Sequence, residues 1–172
     1  MTVERKDAVT LKGKPLTLVG PEIKVGAKMP DFQAVANDMS EVTLKTTGGK
    51  VRIFASVPSL DTPVCDAETR RFNQEATGLP GVEVLTISCD LPFAQKRWCA
   101  AAGLDRVKTL SDHRDTSFGA GTGTLIKELR ILSRAVFVVD RDDVVRHVEY
   151  VKEVAEQPKF EAAVQAARRL IS

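Results

Sequence analysis

Histidine, cysteine and uncompensated charge are all scarce in this chain. The two histidines, His113 and His147, lie far apart and beside no cysteine, so no zinc site of the usual ligand spacing is expected. The three cysteines, at positions 65, 89 and 99, are too few and too scattered for a secreted disulfide framework. There is no C-x-x-C pair, which removes the motif of a dithiol oxidoreductase. Lys and Arg total 25 against 23 Asp and Glu, and the formal charge of +2 gives no basic field for nucleic acid. No apolar run approaches the roughly 18 residues of a membrane span. The opening MTVERKDAVT mixes both signs of charge and lacks the apolar stretch of a signal peptide. Repeats and low-complexity tracts are missing as well.

What is present suits a cytoplasmic protein of one domain, residues 1–172, with export by a route that needs no signal peptide left open. A chain of this length buries about two thirds of its unfolded surface and needs no staple. Residues 8–20 carry β-rich arms around Lys12-Gly13-Lys14-Pro15 and read as a hairpin. Strands are expected at 32–36, 42–44, 51–55, 82–87, 135–139 and 144–151, with another closing near Asp112. Helices are expected at 63–76, 92–102 and, from the spacing of Phe160, Ala163, Val164, Ala167 and Leu170, at the C-terminus. Thr116 to Gly123 fits either a helix or a loop. Strands and helices alternate in the middle and hairpins sit at the ends, so the class is α/β with a central mixed sheet flanked by helices.

The informative stretch runs from Pro58 to Cys65, directly after a strand and into a helix. Thr62 suits the N-cap and Pro63 the first helical position. Cys65 then falls near N3, where backbone N–H groups lack intrahelical acceptors and the helix dipole favours an anion. Asp61 and Asp66 would oppose a thiolate there, so a cation is wanted from elsewhere in the chain. Cys99, mid-helix beside the only Trp, reads either as a packed residue or as a thiol that captures an oxidised Cys65. Cys89 has no motif around it and reads as structural. A hydrolase pairing Cys65 with a distant histidine, or a binding module with inert thiols, stays open on these residues alone.

Pro58-Ser59-Leu60-Asp61-Thr62-Pro63-Val64-Cys65 resembles the peroxidatic motif of the peroxiredoxins. With Ser40–Leu44, Arg71-Phe72-Asn73, Ser88–Gln95 and Leu132–Asp140, nearly the whole chain is similar to the bacterial thiol peroxidase group of atypical two-cysteine peroxiredoxins. The resemblance implies a thioredoxin-like fold with an added N-terminal β-hairpin. It implies Cys65 as the peroxidatic and Cys99 as the resolving cysteine, Thr62 and Arg134 as their partners, and Pro58 as a shield. Arg134 would be the missing cation. The implied activity is reduction of hydrogen peroxide and alkyl hydroperoxides through a Cys65 sulfenic acid and a Cys65–Cys99 disulfide. Thioredoxin would recycle that disulfide, in a homodimer, with no metal or organic cofactor. The rival within redox chemistry is a peroxide sensor that hands its disulfide to a partner protein. One departure is Thr122, where members often carry an aromatic residue. A changed pocket wall or dimer surface is the expected consequence.

Overall fold

The computed structural model describes residues 2–104 and 107–171, without the side chains of Ala76 and Thr77. It opens with β1 (Glu4–Leu11) and β2 (Lys14–Val19), paired antiparallel. Lys12 and Gly13 turn the chain with φ of 50° and 76°, the two positive values that a tight hairpin turn needs. The hairpin starts earlier than the expected residue 8, because β1 continues through an irregularity between Arg5 and Val9 where Asp7 has φ 55°.

Then come β3 (Gln33–Ala36), β4 (Glu41–Thr43), β5 (Val51–Ser56), α1 (Pro63–Thr77), β6 (Val82–Ser88), α2 (Pro92–Ala102) and β7 (Val107–Ser111). The chain ends with α3 (Ser117–Thr122), β8 (Leu125–Ile126), β9 (Ile131–Leu132), β10 (Ala135–Val139), β11 (Val145–Tyr150) and α4 (Phe160–Ile171). Seven strands form one sheet in the order β11-β10-β5-β6-β7-β3-β4. The pairs β5–β6 and β6–β7 are parallel and the others antiparallel, the mixed sheet expected.

β5 lies inside this sheet and all six of its residues are buried. Its side chains alternate between two cores, as the period of a strand requires. Val51, Ile53 and Ala55 pack with Phe72 of α1 and Ala163, Val164 and Ala167 of α4. Phe54 faces the other way, among Phe32, Phe118 and Phe137. The rings of Phe32 and Phe118 meet edge to face at 5.3 Å. Residues 116–123 settle as a short helix, because the Asp112 carboxylate accepts the N–H groups of Phe118 at 3.0 Å and Gly119 at 2.9 Å.

β8 and β9 were outside the sequence expectation. They join the N-terminal hairpin in a second sheet, β1-β2-β8-β9. Gly123 stands before them with φ 71°, and a Cβ there would lie 2.2 Å from Pro21 O, so the close approach of the hairpin needs glycine. This second sheet delivers the chain from β9 directly into β10 by way of Ser133 and Arg134.

Candidate active site

Three polar contacts shape the loop between β5 and α1. Ser56 Oγ donates to Ser133 O at 2.7 Å, fastening the end of β5 beside Arg134. Asp90 accepts from Ser59 Oγ at 2.7 Å and from the Leu60 N–H at 2.8 Å, holding the loop to the end of β6. Thr62 then starts α1 as its cap. Its carbonyl accepts the Asp66 N–H at 2.9 Å, and its Oγ1 faces the Cys65 N–H at 3.4 Å. Cys65 therefore occupies N3, as the sequence predicts. It is fully buried in a small cluster with Val57 and Leu60, against which Trp98 packs. Pro58 is buried in the same loop.

Arg134 comes from the opposite side, 1% exposed. Its Nη2 donates to Cys65 Sγ at 3.2 Å, its Nε to Val154 O at 3.2 Å, and its Nη1 to the Glu68 carboxylate. With each arm of the fork engaged, the guanidinium is fixed in one orientation. Burial works against its charge, but Glu68 and Cys65 outweigh burial and hold its pKa above the ordinary value. Glu68 is itself fully buried, and burial pushes its carboxyl pKa up to about 7 against the pull of Arg134. The aspartates that could oppose a thiolate are directed elsewhere. Asp61 is exposed, and the Asp66 carboxylate accepts Arg70 Nε at 2.8 Å and Trp98 Nε1 at 2.9 Å.

Cys99 does not meet Cys65; all three cysteines are free thiols. Thr109 Oγ1 gives its proton to Asn37 Oδ1 at 2.9 Å, so at 3.4 Å it is the acceptor for the Cys99 thiol. Cys99 also lines a cavity of about 490 Å³ with Ala36, Asn37 and Thr109. Its neighbour Trp98 packs instead against the cluster that holds Cys65.

Residues 24–164 match the Redoxin family model. The chain belongs to the redoxin family. It is 60% identical to the thiol peroxidase of Halalkalibacterium halodurans over 161 residues, 94% of this chain and 97% of that one. It is 54% identical to the thiol peroxidase of Bacillus subtilis over 163 residues, 95% of this chain and 98% of that one. A crystal structure of a peroxiredoxin-like protein from Aquifex aeolicus superposes with a TM-score of 0.89 at 40% identity, covering 98% of each chain. This redoxin therefore stands with the bacterial thiol peroxidases and has the thioredoxin-like fold that its sequence resemblance implies.

The geometry of this redoxin brings Cys65, Thr62 and Arg134 together, puts Pro58 in the same loop, and leaves Cys99 to a different neighbourhood. It also adds two residues that the sequence reading passed over. Glu68 sits one helical turn after Cys65, and that i, i+3 spacing was the available signal for a shared face. Asp90 had only its place before α2 to mark it. Cys89 packs against the phenylalanine core, and burial, with Asp112 adding to it, pushes its thiol up to about 12. Thr122 is 1% exposed, and its Oγ1 donates to Phe118 O at 2.7 Å within its own helix. The position faces the interior, where a small hydroxyl can satisfy itself on the preceding turn. Among the described residues no helix is long and apolar enough to cross a membrane.

Proposed function

We propose that Cys65 is the peroxidatic thiol of a thiol-dependent peroxidase that reduces hydrogen peroxide and alkyl hydroperoxides. The observation that carries this reading is the Arg134 guanidinium 3.2 Å from a sulfur seated in the first turn of α1. The thiolate attacks the terminal peroxide oxygen in line with the O–O bond. That bond breaks, water or an alcohol leaves after taking up a proton, and Cys65 becomes a sulfenic acid. Negative charge moves onto the peroxide oxygens as the bond breaks. A donor already aimed at it stabilises the transition state without reorganisation, worth about 10²–10³ in rate per donor. Arg134 supplies one such donor. Thr62 supplies a second when its hydroxyl turns from Ser59 O, where it now donates at 2.9 Å.

Cys99 then attacks the sulfenic sulfur, water leaves, and a Cys65–Cys99 disulfide forms. Disulfide Cα atoms must come within about 7 Å. The Cys99–Thr109 contact therefore breaks, and a turn of α1, α2 or both unwinds. Thioredoxin reduces the bond and returns both thiols. The whole chain acts as one domain, in a homodimer, in the bacterial cytoplasm, with no metal or organic cofactor. The test is hydroperoxide consumption coupled to thioredoxin and its reductase. Cys65→Ser is expected to abolish it, and retained turnover in that variant would refute the assignment.

A further inference from the structure

The loop between β11 and α4 ties three parts of the molecule together. Its Glu153 carboxylate accepts Thr10 Oγ1 at 2.6 Å, the Lys12 N–H at 2.9 Å, the Gly13 N–H at 3.2 Å and the Ala155 N–H at 3.2 Å. Three of these four donors belong to the tip of the N-terminal hairpin. Backbone bonds continue the attachment: the Thr10 N–H donates to Lys152 O and the Val154 N–H to Thr10 O, both at 2.8 Å. The carbonyl of that same Val154 accepts Arg134 Nε at 3.2 Å. Three residues further, Gln157 Nε2 donates to Val64 O at 3.0 Å, on the first turn of α1.

We propose that Glu153 is a positioning residue for Arg134, and that through it the N-terminal hairpin sets the aim of the guanidinium at Cys65. The inference rests on the role given to Arg134 above. An arginine fork aimed at a transition state needs all its anchors. Glu68 and Cys65 fix the two Nη arms, and the third anchor, Val154 O, is a backbone atom in a loop outside any helix or strand. A loop carbonyl is only as fixed as the contacts around it. Here the contacts adjoining Val154 are those of Glu153 and Thr10. The Thr10 hydroxyl first, then the Lys12 and Gly13 N–H groups, hold the Glu153 carboxyl down to about 2, so it stays an anion at any working pH. The alternative is that Glu153 merely fastens a hairpin, with no bearing on Arg134.

A double-mutant cycle separates the two. The readout is the second-order rate of Cys65 oxidation by hydrogen peroxide, followed by the fluorescence of Trp98, the only Trp, which packs against the cluster that holds Cys65. Glu153→Gln is expected to slow that rate about ten- to a hundredfold, the scale for misplacing a catalytic group by a fraction of an ångström to one ångström. Arg134→Lys, which loses the Nε bond to Val154 O, should slow it about 10²–10³-fold. The double variant should be no slower than Arg134→Lys alone, and Glu156→Gln should match wild type. If Glu153→Gln unfolds, Thr10→Val removes one of the four bonds and should give a smaller loss, absent in the Arg134→Lys background. An unchanged rate in Glu153→Gln, or a full extra loss on top of Arg134→Lys, overturns the inference. Failure of the underlying reading shows elsewhere, as a wild type or an Arg134→Lys variant that does not behave as stated.

Discussion

Glu68 and Cys65 lie one turn apart on α1 and hold two arms of the same guanidinium. Arg134 carries one positive charge, yet it faces two groups that can each become an anion in a site closed to water. Both cannot ionise without leaving a buried negative charge uncompensated. Burial pushes the Glu68 carboxyl up to about 7 even against the pull of Arg134.

This arrangement has a signature in stability. Between the ordinary 4.5 and about 7, the folded chain keeps a proton on Glu68 that the unfolded chain releases. The native state then binds more protons, and stability falls as pH rises through that window. Glu68→Gln should flatten the dependence of Tm on pH between those limits. Asp112, pushed to about 6 by burial, adds a slope of the same sign, but it persists in the variant, so the difference belongs to Glu68. Equal slopes in both proteins would contradict the assignment.

Asp90 should matter for more than the geometry of one turn. It accepts from Ser59, Leu60 and, at 2.7 Å, Ser88 Oγ. Asp90→Ala leaves those donors without their partner and should cost about 2 kcal/mol in urea unfolding, with a slower reaction of Cys65 with peroxide. A loss below about 0.5 kcal/mol, the range of an ordinary surface change, would show that the loop is held by other means.

Cys89 should stay unlabelled by iodoacetamide in the folded protein at pH 8, since its thiol titrates at about 12 and the thiolate is the reactive form. Peptide mapping after brief alkylation reads this directly. Labelling of Cys89 ahead of Cys65 would mean that burial and Asp112 do not protect it.

Much of this structure is legible in the residues themselves. Val51 to Ala55 and Ala135 to Val139 announce buried strands because they are mostly apolar and rich in β-formers, and Thr62-Pro63 announces a helix start by cap chemistry. Those local signals place Cys65 at N3. The strands β8 and β9, two residues each, carry no periodicity and exist only because the hairpin pairs with them. The meeting of Glu68 and Arg134 spans 66 residues and depends on the register of β10. Arg134 is identified by resemblance rather than by any local pattern. Asp90 and Glu153 act by accepting bonds from distant loops, and a carboxylate at a turn looks the same in sequence whether it faces solvent or a ring of donors.

In the proposed cycle, Cys65 takes the peroxide oxygen and Cys99 completes the disulfide. One equivalent of hydrogen peroxide added to the fully reduced chain, followed by mass analysis without reductant, tests it most directly. The expected outcome is loss of two hydrogens, a single cross-linked peptide pair joining Cys65 to Cys99, and a Cys99→Ser variant that stops at sulfenic acid on Cys65. Unconsumed peroxide, or a disulfide that joins Cys89, would contradict it.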